Sequence, residues 1–570
     1  LTDVTGVQTC ALPIFGGSGG WGALAISNGT AVIRSLSNNV SGSSVTLAGG
    51  TLQLGLFRKT GTAFTNYFNG GTLKAYQTTT SWIQSDTVSL VGGTGFTIDT
   101  LAYDADLFSS LRSNSPSGGV TKKGTGILTL AAANTFAGPL LIDEGRVVLR
   151  HSDAVSGVST IVVSNNAYLG IGNGITAGAG KTVTIYGQYA GDNGGALRVR
   201  DGSGTWAGDV LLGQDSTRIG ASAGAQSLTI SGVIDDGASS FTLAIRTVDN
   251  VGEVVLGGAN TYGGSTAVIV GGLRIAGADN RLPVGTLLDI GNGANVGSAR
   301  FDLGGFNQTV GGLTGSGTSM SIAITNSGVT ASTLTVNQAA TRAYRGSIDG
   351  NVNLVKSGAG TLTLSGDFNS TGTVQVSGGI LAFTGSAAVA ASVLQVDAGA
   401  KLVATNRAST LQLGSGQTLK GTGTFVGGLI TDPGATVAPG ASPGTLTLEG
   451  DLTMNAGSSF AVELDGAGAG QYDVLDLSGR LLTLNGASLN VTLGFSPTPY
   501  VDSFAIVSGL GALPTGAFAG KPDGGAFLVG STWMEIDYTP TAVILNVIPE
   551  PSTLGILGLA AALAAFRRRR

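Results

Sequence analysis

The chain has 570 residues and a formal net charge of −5; 11% of the residues are charged, 42% are hydrophobic and 96 are glycine. This balance excludes a disordered chain, which needs high charge and low hydrophobicity, and glycine without a Gly-X-Y period excludes collagen. Without the four arginines that end the chain the charge is −9, so a basic face for nucleic acid is also excluded. Because glycine destabilises helix interiors, we expect an all-β fold with glycine at its bends.

Residues 1–15 differ in composition from the Gly/Ser/Thr-rich sequence that begins at Gly16. This segment begins with Leu1 and resembles a translated sequencing adapter. We therefore interpret it as a non-native scar and expect a secretion signal upstream in the complete protein. It contains Cys10, the one cysteine of the chain, and a single cysteine excludes an intramolecular disulfide or a cysteine-based metal cluster.

A short formula of two strands around a glycine pair recurs near the N-terminus. The second glycines of three successive copies, Gly50, Gly71 and Gly93, are 21 and 22 residues apart. Apolar residues alternate with Thr, Ser or Gln on both sides of the glycines, which indicates strands joined by a tight bend. The spacing equals one coil of a β-solenoid. Later units of the same form are Val268–Ile275, Val374–Phe383, Leu394–Val403 and Met454–Val462.

A longer signature appears three times, starting at Lys123, Gly252 and Lys356. It combines a glycine-rich Leu-x-Leu strand with an Asn-x-aromatic turn and a further strand, although the third copy lacks the aromatic residue. These copies resemble the autotransporter-associated β-strand repeat. The clearest of them lie near 120–150, 252–276 and 356–383.

Two further stretches are similar to the same family. Phe301–Leu313 resembles a strand that links such repeats, Ala435–Leu448 resembles their closing coils, and Tyr472–Leu475 resembles a motif that often follows those coils. We therefore predict an elongated, right-handed parallel β-helix, or β-solenoid, over residues 16–457. We expect a C-terminal capping β region over residues 458–546. A Gly-rich β-sandwich is the alternative fold.

Few side chains offer catalytic chemistry. His151 is the one histidine and follows a strand at a predicted corner, where we expect a solvated turn residue. A single histidine without a serine elbow supports neither a His-rich metal site nor a Ser-His-Asp triad.

Carboxylates give the alternative function, because β-helices also host polysaccharide lyases and glycosidases that use acidic residues. Two of the acidic pairs lie beside glycine, in turns where acidic residues are common. We therefore predict no catalytic residue, no cofactor and no metal. The candidate pairs are Asp143 with Glu144, Asp235 with Asp236, and Asp473 with Asp476.

The C-terminal segment 547–570 has three distinct parts. Pro549 and Pro551 lack N–H donors and favour an extended chain on either side of Glu550. The apolar stretch from Leu554 to Phe566 predicts a short hydrophobic helix of about 20 Å, below the roughly 30 Å of a bilayer core. Basic flanks stay on the cytoplasmic side of a membrane. The basic residues that end the chain are Arg567, Arg568, Arg569 and Arg570.

These three parts resemble the PEP-CTERM sorting signal of Gram-negative bacteria, with Pro549, Glu550, Pro551 and Ser552 as its recognition box. The resemblance implies that an exosortase-type transpeptidase reads the box and removes a tail that anchors the protein transiently in the inner membrane. With the repeats, it implies an exported, surface-associated or secreted, adhesin-like structural protein in a cell-envelope, exopolysaccharide or biofilm context. Surface glycans are further expected partners. The alternative is a terminal amphiphilic helix without a sorting role.

Overall fold

The structure is a computed structural model. Every regular element in its described ranges is a β-strand, which confirms the all-β class. The chain forms two compact units, which we call unit 1 (residues 1–310 and 315–327) and unit 2 (residues 311–314 and 328–570). The described ranges are 23–38, 43–59, 64–84, 87–291, 297–317, 320–386 and 388–550, together with the strands Thr2–Asp3, Val7–Cys10 and Ile14–Phe15.

Unit 1 is a parallel β-solenoid in which strands of successive coils stack in register. Its first sheet contains Thr2–Asp3, Ala23–Ile26, Ser44–Leu47, Phe64–Phe68, Thr87–Val91 and Ser110–Ser113. Its second sheet contains Val7–Cys10, Thr30–Ile33, Thr51–Leu54, Thr72–Ala75, Phe96–Asp99, Val120–Lys123, Leu140–Ile142, Ile161–Val163, Thr182–Ile185, Asp209–Leu212 and Ile234–Asp235.

The remaining strands of unit 1 form two further sheets and a small antiparallel pair. The two sheets share one long strand, Thr266–Ile275. The third sheet contains Ile14–Phe15, Leu36–Asn38, Phe57–Lys59, Thr79–Ile83, Ala105–Leu107, Ile127–Leu130, Gly145–Leu149, Ala167–Ile171, Leu197–Val199, Thr217–Ala221, Leu243–Arg246, Thr266–Ile275 and Leu287–Ile290. The fourth adds Thr176–Ala177, Gly202–Trp206, Ala225–Ile230, Glu253–Leu256, Gly297–Asp302 and Met320–Thr325. The antiparallel pair is Gln188–Tyr189 with Gly194–Gly195, and the unit also contains Gln308–Val310.

Unit 2 is also built from stacked parallel strands. Its first sheet contains Ser332–Asn337, Val352–Ser357, Thr373–Val376, Val393–Val396, Thr418–Gly421, Thr436–Pro439, Ser459–Leu464 and Ser488–Leu493. Its second contains Arg342–Tyr344, Thr361–Leu364, Ile380–Phe383, Lys401–Val403, Thr424–Val426, Thr445–Glu449, Val474–Arg480 and Ser503–Leu510, and its third Leu411–Leu413, Leu429–Thr431, Leu452–Asn455, Leu482–Asn485 and Thr515–Ala517. Gly312–Thr314 and Ser347–Ile348 are two more short strands.

Three antiparallel strands follow the last parallel strand of unit 2's second sheet. Val543–Ile548 pairs with Ser503–Leu510 on one edge and with Thr532–Tyr538 on the other, and Gly525–Val529 completes the group. The free edge that the last parallel strand would otherwise present is thereby covered, which protects it against pairing with another chain.

The core of each unit consists of columns of inward-facing aliphatic residues. Along the second sheet of unit 1, for example, Leu52, Leu73 and Ile98 lie in register and are at most 1% exposed. Their neighbours in sequence face outward, since successive strand residues point to opposite faces. Full burial of each such side chain contributes about 1.5–3 kcal/mol, so the stacked coils supply the stability that single short strands lack.

The predicted coil spacing is confirmed for the first glycine pair, because Thr51 pairs with Thr72 directly after Gly50 and Gly71, both of which have positive φ. The next coil is longer than we predicted: Thr72 pairs with Thr97, a step of 25 residues. The bend at 92–95 adds two of the extra residues, because Phe68 pairs with Val91 before it, a step of 23. The positive φ of this bend belongs to Gly95 and not to Gly93.

The strand–turn–strand prediction for Val268–Ile275 is wrong, because Thr266–Ile275 is one continuous strand. Its first half pairs with Leu243–Arg246 and its second half with Glu253–Leu256. Gly271, with φ of +91°, lets the strand pass from one sheet to the other without a turn. The predicted right-handed winding and the C-terminal helix stay predictions, and the helix falls outside the described residues.

Candidate functional site

The candidate sorting site begins where the last strand of unit 2 ends. Val543–Ile548 is hydrogen-bonded along both edges, and Pro549 follows it directly. Proline has no N–H to continue the ladder, so the sheet ends at this point. Pro549 is half-buried and Glu550 is exposed. The first two residues of the predicted box therefore extend from a strand held on both sides.

A loop of unit 2 is fastened to the end of that strand. The Tyr500 N–H donates to the Val547 carbonyl at 2.8 Å, and the Val547 N–H donates to the Asp502 carbonyl at 3.1 Å. The Asp502 carboxylate in turn accepts the Thr498 N–H at 2.6 Å. Tyr500 and Val501, at the tip of this loop, are 73% and 74% exposed.

The rest of the predicted sorting signal, residues 551–570, lies outside the described ranges. Within those ranges no helix has the length and apolar character needed to cross a bilayer. The membrane anchor therefore stays a prediction. The predicted site residues in the undescribed segment are Pro551, Ser552, Leu554, Phe566, Arg567, Arg568, Arg569 and Arg570.

A buried lysine interrupts an aliphatic column in the first repeat. Lys122 lies in register between Ile98 and Ile142 and is fully buried. Its Nζ donates to three backbone carbonyls, two in its own bend at 2.8 and 2.6 Å and that of Glu144, one coil further, at 3.2 Å. Burial lowers the pKa of Lys122 to about 7, against the attraction of Asp99 and Glu144. The side chain joins two coils through their main chains.

The third repeat contains the same arrangement. Lys356 is fully buried in register with Val336 and Val376. Its Nζ donates to two carbonyls of its own bend at 2.7 and 2.9 Å and to the Gly378 carbonyl at 3.2 Å. Burial also lowers the pKa of Lys356. In both repeats the third carbonyl lies 22 residues after the lysine, so the two lysines occupy equivalent sites.

The asparagine of the repeat turn also joins coils. Asn134 accepts the Leu111 N–H at 2.9 Å and donates to the Ala154 carbonyl at 2.9 Å. Asn260 makes the same two bonds, to the coil before and the coil after, each at 2.8 Å. Both asparagines are buried. One amide group thus spans three successive coils in the first and second repeats.

In the third repeat a serine, instead of an asparagine, joins the turn to a neighbouring coil. Ser370 is fully buried, and its Oγ donates to the Val352 carbonyl at 2.7 Å and accepts the Val352 N–H at 2.9 Å. Phe368, which precedes it, is 1% exposed. An aromatic residue therefore does fill the third turn, two positions earlier than in the other copies.

The acidic turn residues accept backbone N–H groups. Asp236 accepts those of Phe241 and Gly263 at 2.7 and 3.0 Å, and Asp235 accepts that of Gly237 at 2.6 Å. Glu144 accepts the Gly124 N–H at 3.2 Å, and both Glu144 and its neighbour Asp143 are exposed. Each bond fixes a bend, which is the usual use of short acidic side chains in turns.

Asp473 is the most buried of the candidate acids, at 3% exposure. Its two carboxylate oxygens accept the N–H groups of Gly444 at 2.9 Å and Glu463 at 2.8 Å. Burial raises the pKa of Asp473 despite these bonds. Its partner Asp476 accepts the Ser478 N–H at 3.0 Å, so the two acids serve separate bends.

His151 lies in a turn and its Nδ1 accepts the Asp153 N–H at 3.0 Å. Its side chain is 42% exposed. The described part of the chain contains no group of three or more His, Cys, Asp or Glu side chains arranged to hold a metal ion.

Comparison with known proteins identifies both sequence patterns. Residues 120–149, 249–275 and 354–383 match the passenger-associated-transport-repeat, and residues 547–570 match the PEP-CTERM protein-sorting motif. The chain carries passenger repeats and a sorting signal. The predicted family resemblance is therefore confirmed for these segments, and the buried lysines, Lys122 and Lys356, lie inside two of the matched repeats.

Two curated proteins share part of the sequence. The extracellular serine protease of Serratia marcescens is 34% identical over 146 residues, which is 26% of this chain and 12% of that protein. The adhesin BmaC autotransporter of Brucella suis biovar 1 (strain 1330) is 30% identical over 209 residues, which is 35% of this chain and 6% of that protein. The chain thus spans a small part of the length of either relative.

Proposed function

We propose that this protein is an exported, adhesin-like structural β-solenoid that reaches the cell surface or the surrounding matrix of a Gram-negative bacterium. The observation that carries the proposal is the combination of passenger repeats, which form stacked coils, with a sorting motif whose box at Pro549 begins directly after the last strand. Most of the candidate acids accept main-chain N–H groups of bends, and Asp235 also accepts the Thr261 hydroxyl; such contacts are typical of a scaffold.

The proposed partner at the C-terminus is an exosortase-type transpeptidase. It reads Pro549, Glu550, Pro551 and Ser552, while Leu554 to Phe566 anchors the chain transiently in the inner membrane and Arg567 to Arg570 stay on the cytoplasmic side. The exposed Glu550 and the lack of an N–H at Pro549 support recognition of an extended segment.

The test compares the C-terminus of the mature protein in cells with and without the transpeptidase, by mass spectrometry of the intact chain. We expect loss of the tail in the first strain and a complete chain in the second. Replacement of Pro549, Glu550 and Pro551 by alanine should prevent cleavage in both strains. Pro540→Ala, in an exposed turn outside the motif, is the matched control and should be cleaved normally. An uncleaved wild-type tail in both strains would refute the sorting proposal.

The proposed ligands of the solenoid are exopolysaccharides or other surface glycans. A row of half-exposed hydroxyl side chains supports this: Thr418, Thr436, Ser459 and Ser488 lie in register on the outer face of four successive coils. Hydroxyl groups repeated at about 4.8 Å suit a polyhydroxylated chain. Cosedimentation with purified exopolysaccharide should weaken several-fold in Thr418→Val/Thr436→Val and stay unchanged in Thr361→Val, which alters another sheet. Equal sedimentation of all three proteins would contradict glycan binding at this face.

A further inference from the structure

The tip of the 495–502 loop has an unusual surface. Tyr500 and Val501 are adjacent and 73% and 74% exposed. Other exposed apolar residues described in unit 2, such as Leu513 and Leu528, stand singly in sequence, and single exposed apolar residues are ordinary on protein surfaces. Tyr500 and Val501 together form a small apolar surface at the loop tip, and its exposure to water is unfavourable.

The backbone at this tip holds the apolar pair outward. Tyr500 has φ of +62°, a left-handed conformation that a bulky aromatic residue seldom adopts. The Val501 N–H and the Asp502 N–H both donate to the Thr498 carbonyl, at 3.2 and 3.1 Å, so the turn is closed. Such sparsely populated backbone conformations persist only where the surrounding structure fixes them, and they cluster at functional sites.

The position of this tip relative to the tail is the second observation. The Tyr500 N–H is bonded to Val547, and Val547 lies one residue before the end of the last strand. Leu554, where the apolar part of the tail begins, is six positions after Ile548. A fully extended chain of six residues reaches about 20 Å at most. Insertion of the tail therefore holds Ile548 within that distance of the bilayer surface, and the loop tip is bonded to the neighbouring Val547.

From these observations we infer that the loop tip, Tyr500 with Val501, docks into the lipid headgroup region of the membrane that holds the tail. This inference rests on the proposed anchoring of the tail. Tyrosine suits the bilayer interface, where its ring meets the acyl boundary and its hydroxyl stays hydrated. Docking at a second point restricts the orientation of the last strand, and with it the approach of a membrane enzyme to the box at Pro549.

The test uses the full chain in vesicles of phosphatidylethanolamine and phosphatidylglycerol at 3:1. In a Cys10→Ser background, an environment-sensitive NBD dye is attached at Tyr500→Cys, and as a matched control at Val329→Cys, which is fully exposed in the same unit. Flotation reports whether the tail is inserted. We expect the dye at position 500 to brighten at least twofold on vesicles and to be quenched by nitroxide lipids, and the dye at position 329 to do neither.

Three other results would each overturn the inference, and the measurements distinguish them from one another. If the chain floats but both dyes behave alike, the tail is anchored and the loop does not dock. If the dye at position 500 is bright without vesicles and lipid nitroxides do not quench it, the chain's own tail covers the tip. A chain that stays unbound removes the anchor proposal together with this one. Amide exchange of unlabelled wild-type peptides over 495–502 gives a dye-free check, with slower exchange expected on vesicles.

Discussion

Lys122 allows a sharp test of how the repeats are stabilised. Its side chain is buried in an aliphatic column, and burial lowers its pKa to about 7 from the ordinary value of 10.5. The unfolded chain keeps the proton up to about pH 10.5, whereas the folded chain releases it near pH 7. Between these values the unfolded state binds more protons, so the free energy of unfolding of unit 1 rises with pH.

The magnitude follows from the same two values. One proton of difference changes the free energy of unfolding by about 1.4 kcal/mol per pH unit. Because Lys122 is still half protonated in the folded state at pH 7, the first part of the interval contributes less. The rise attributable to Lys122 between pH 7 and pH 9 is about 2 kcal/mol. Burial of the charged lysine costs stability at low pH, and this cost is relieved as pH rises through 7 toward the unfolded-state pKa.

The assay is urea unfolding at a series of pH values for wild type, Lys122→Met and Lys123→Met. With Trp533→Phe in every protein, tryptophan fluorescence reports on unit 1, which contains the buried Trp82 and Trp206. Lys122→Met should lose the rise of about 2 kcal/mol, and Lys123→Met, whose side chain is exposed, should keep it. Parallel pH profiles for wild type and Lys122→Met would refute the reasoning and show that the three carbonyls hold the ammonium charged.

Three more outcomes are expected. Asn134→Ala leaves a buried N–H and carbonyl unpaired and should cost about 2–3 kcal/mol in urea unfolding; a cost below about 0.5 kcal/mol would contradict its bridging role. Gly399→Ala should lower the free energy of unfolding by about 1 kcal/mol, because the φ of Gly399 is +76°. Gly379→Ala should cost clearly more, because its φ is also positive and an added Cβ would lie 2.4 Å from the Gly358 carbonyl oxygen; equal costs would refute the crowding argument. Removal of Tyr500 and Val501 by a double serine substitution should leave urea unfolding of unit 2 within about 0.5 kcal/mol of wild type, since both side chains are exposed; a larger loss would mean that they pack in the fold.

The coil architecture was predictable because its signals are local. Gly50 and Gly71 mark bends through positive φ, and the alternation beside them sets which residues face inward. The coil after Gly71 was mispredicted, since Gly92, Gly93 and Gly95 compete for the bend within four residues. Sequence spacing alone does not show which of several close glycines adopts the left-handed conformation.

The buried lysines were not predictable by the same reasoning, because a charged residue at a bend is normally expected in solvent. The first repeat contains two adjacent lysines. The predicted signature starts at Lys123, whereas Lys122 is the structural equivalent of Lys356. The common signal is a lysine two residues before the glycine of the bend. Whether such a lysine is buried depends on carbonyl groups one coil away, which are distant in sequence.

The strand that carries the sorting box also determines how the protein bears load. When the C-terminus is tethered and the body is pulled, force enters through Ile548 and runs along Val543–Ile548. Both edges of this strand are bonded to antiparallel neighbours, so their hydrogen bonds are strained together in shear and cannot break one by one from an end. Rupture under force is governed by the unfolding rate, and this geometry loads two rows of hydrogen bonds together at the point of attachment.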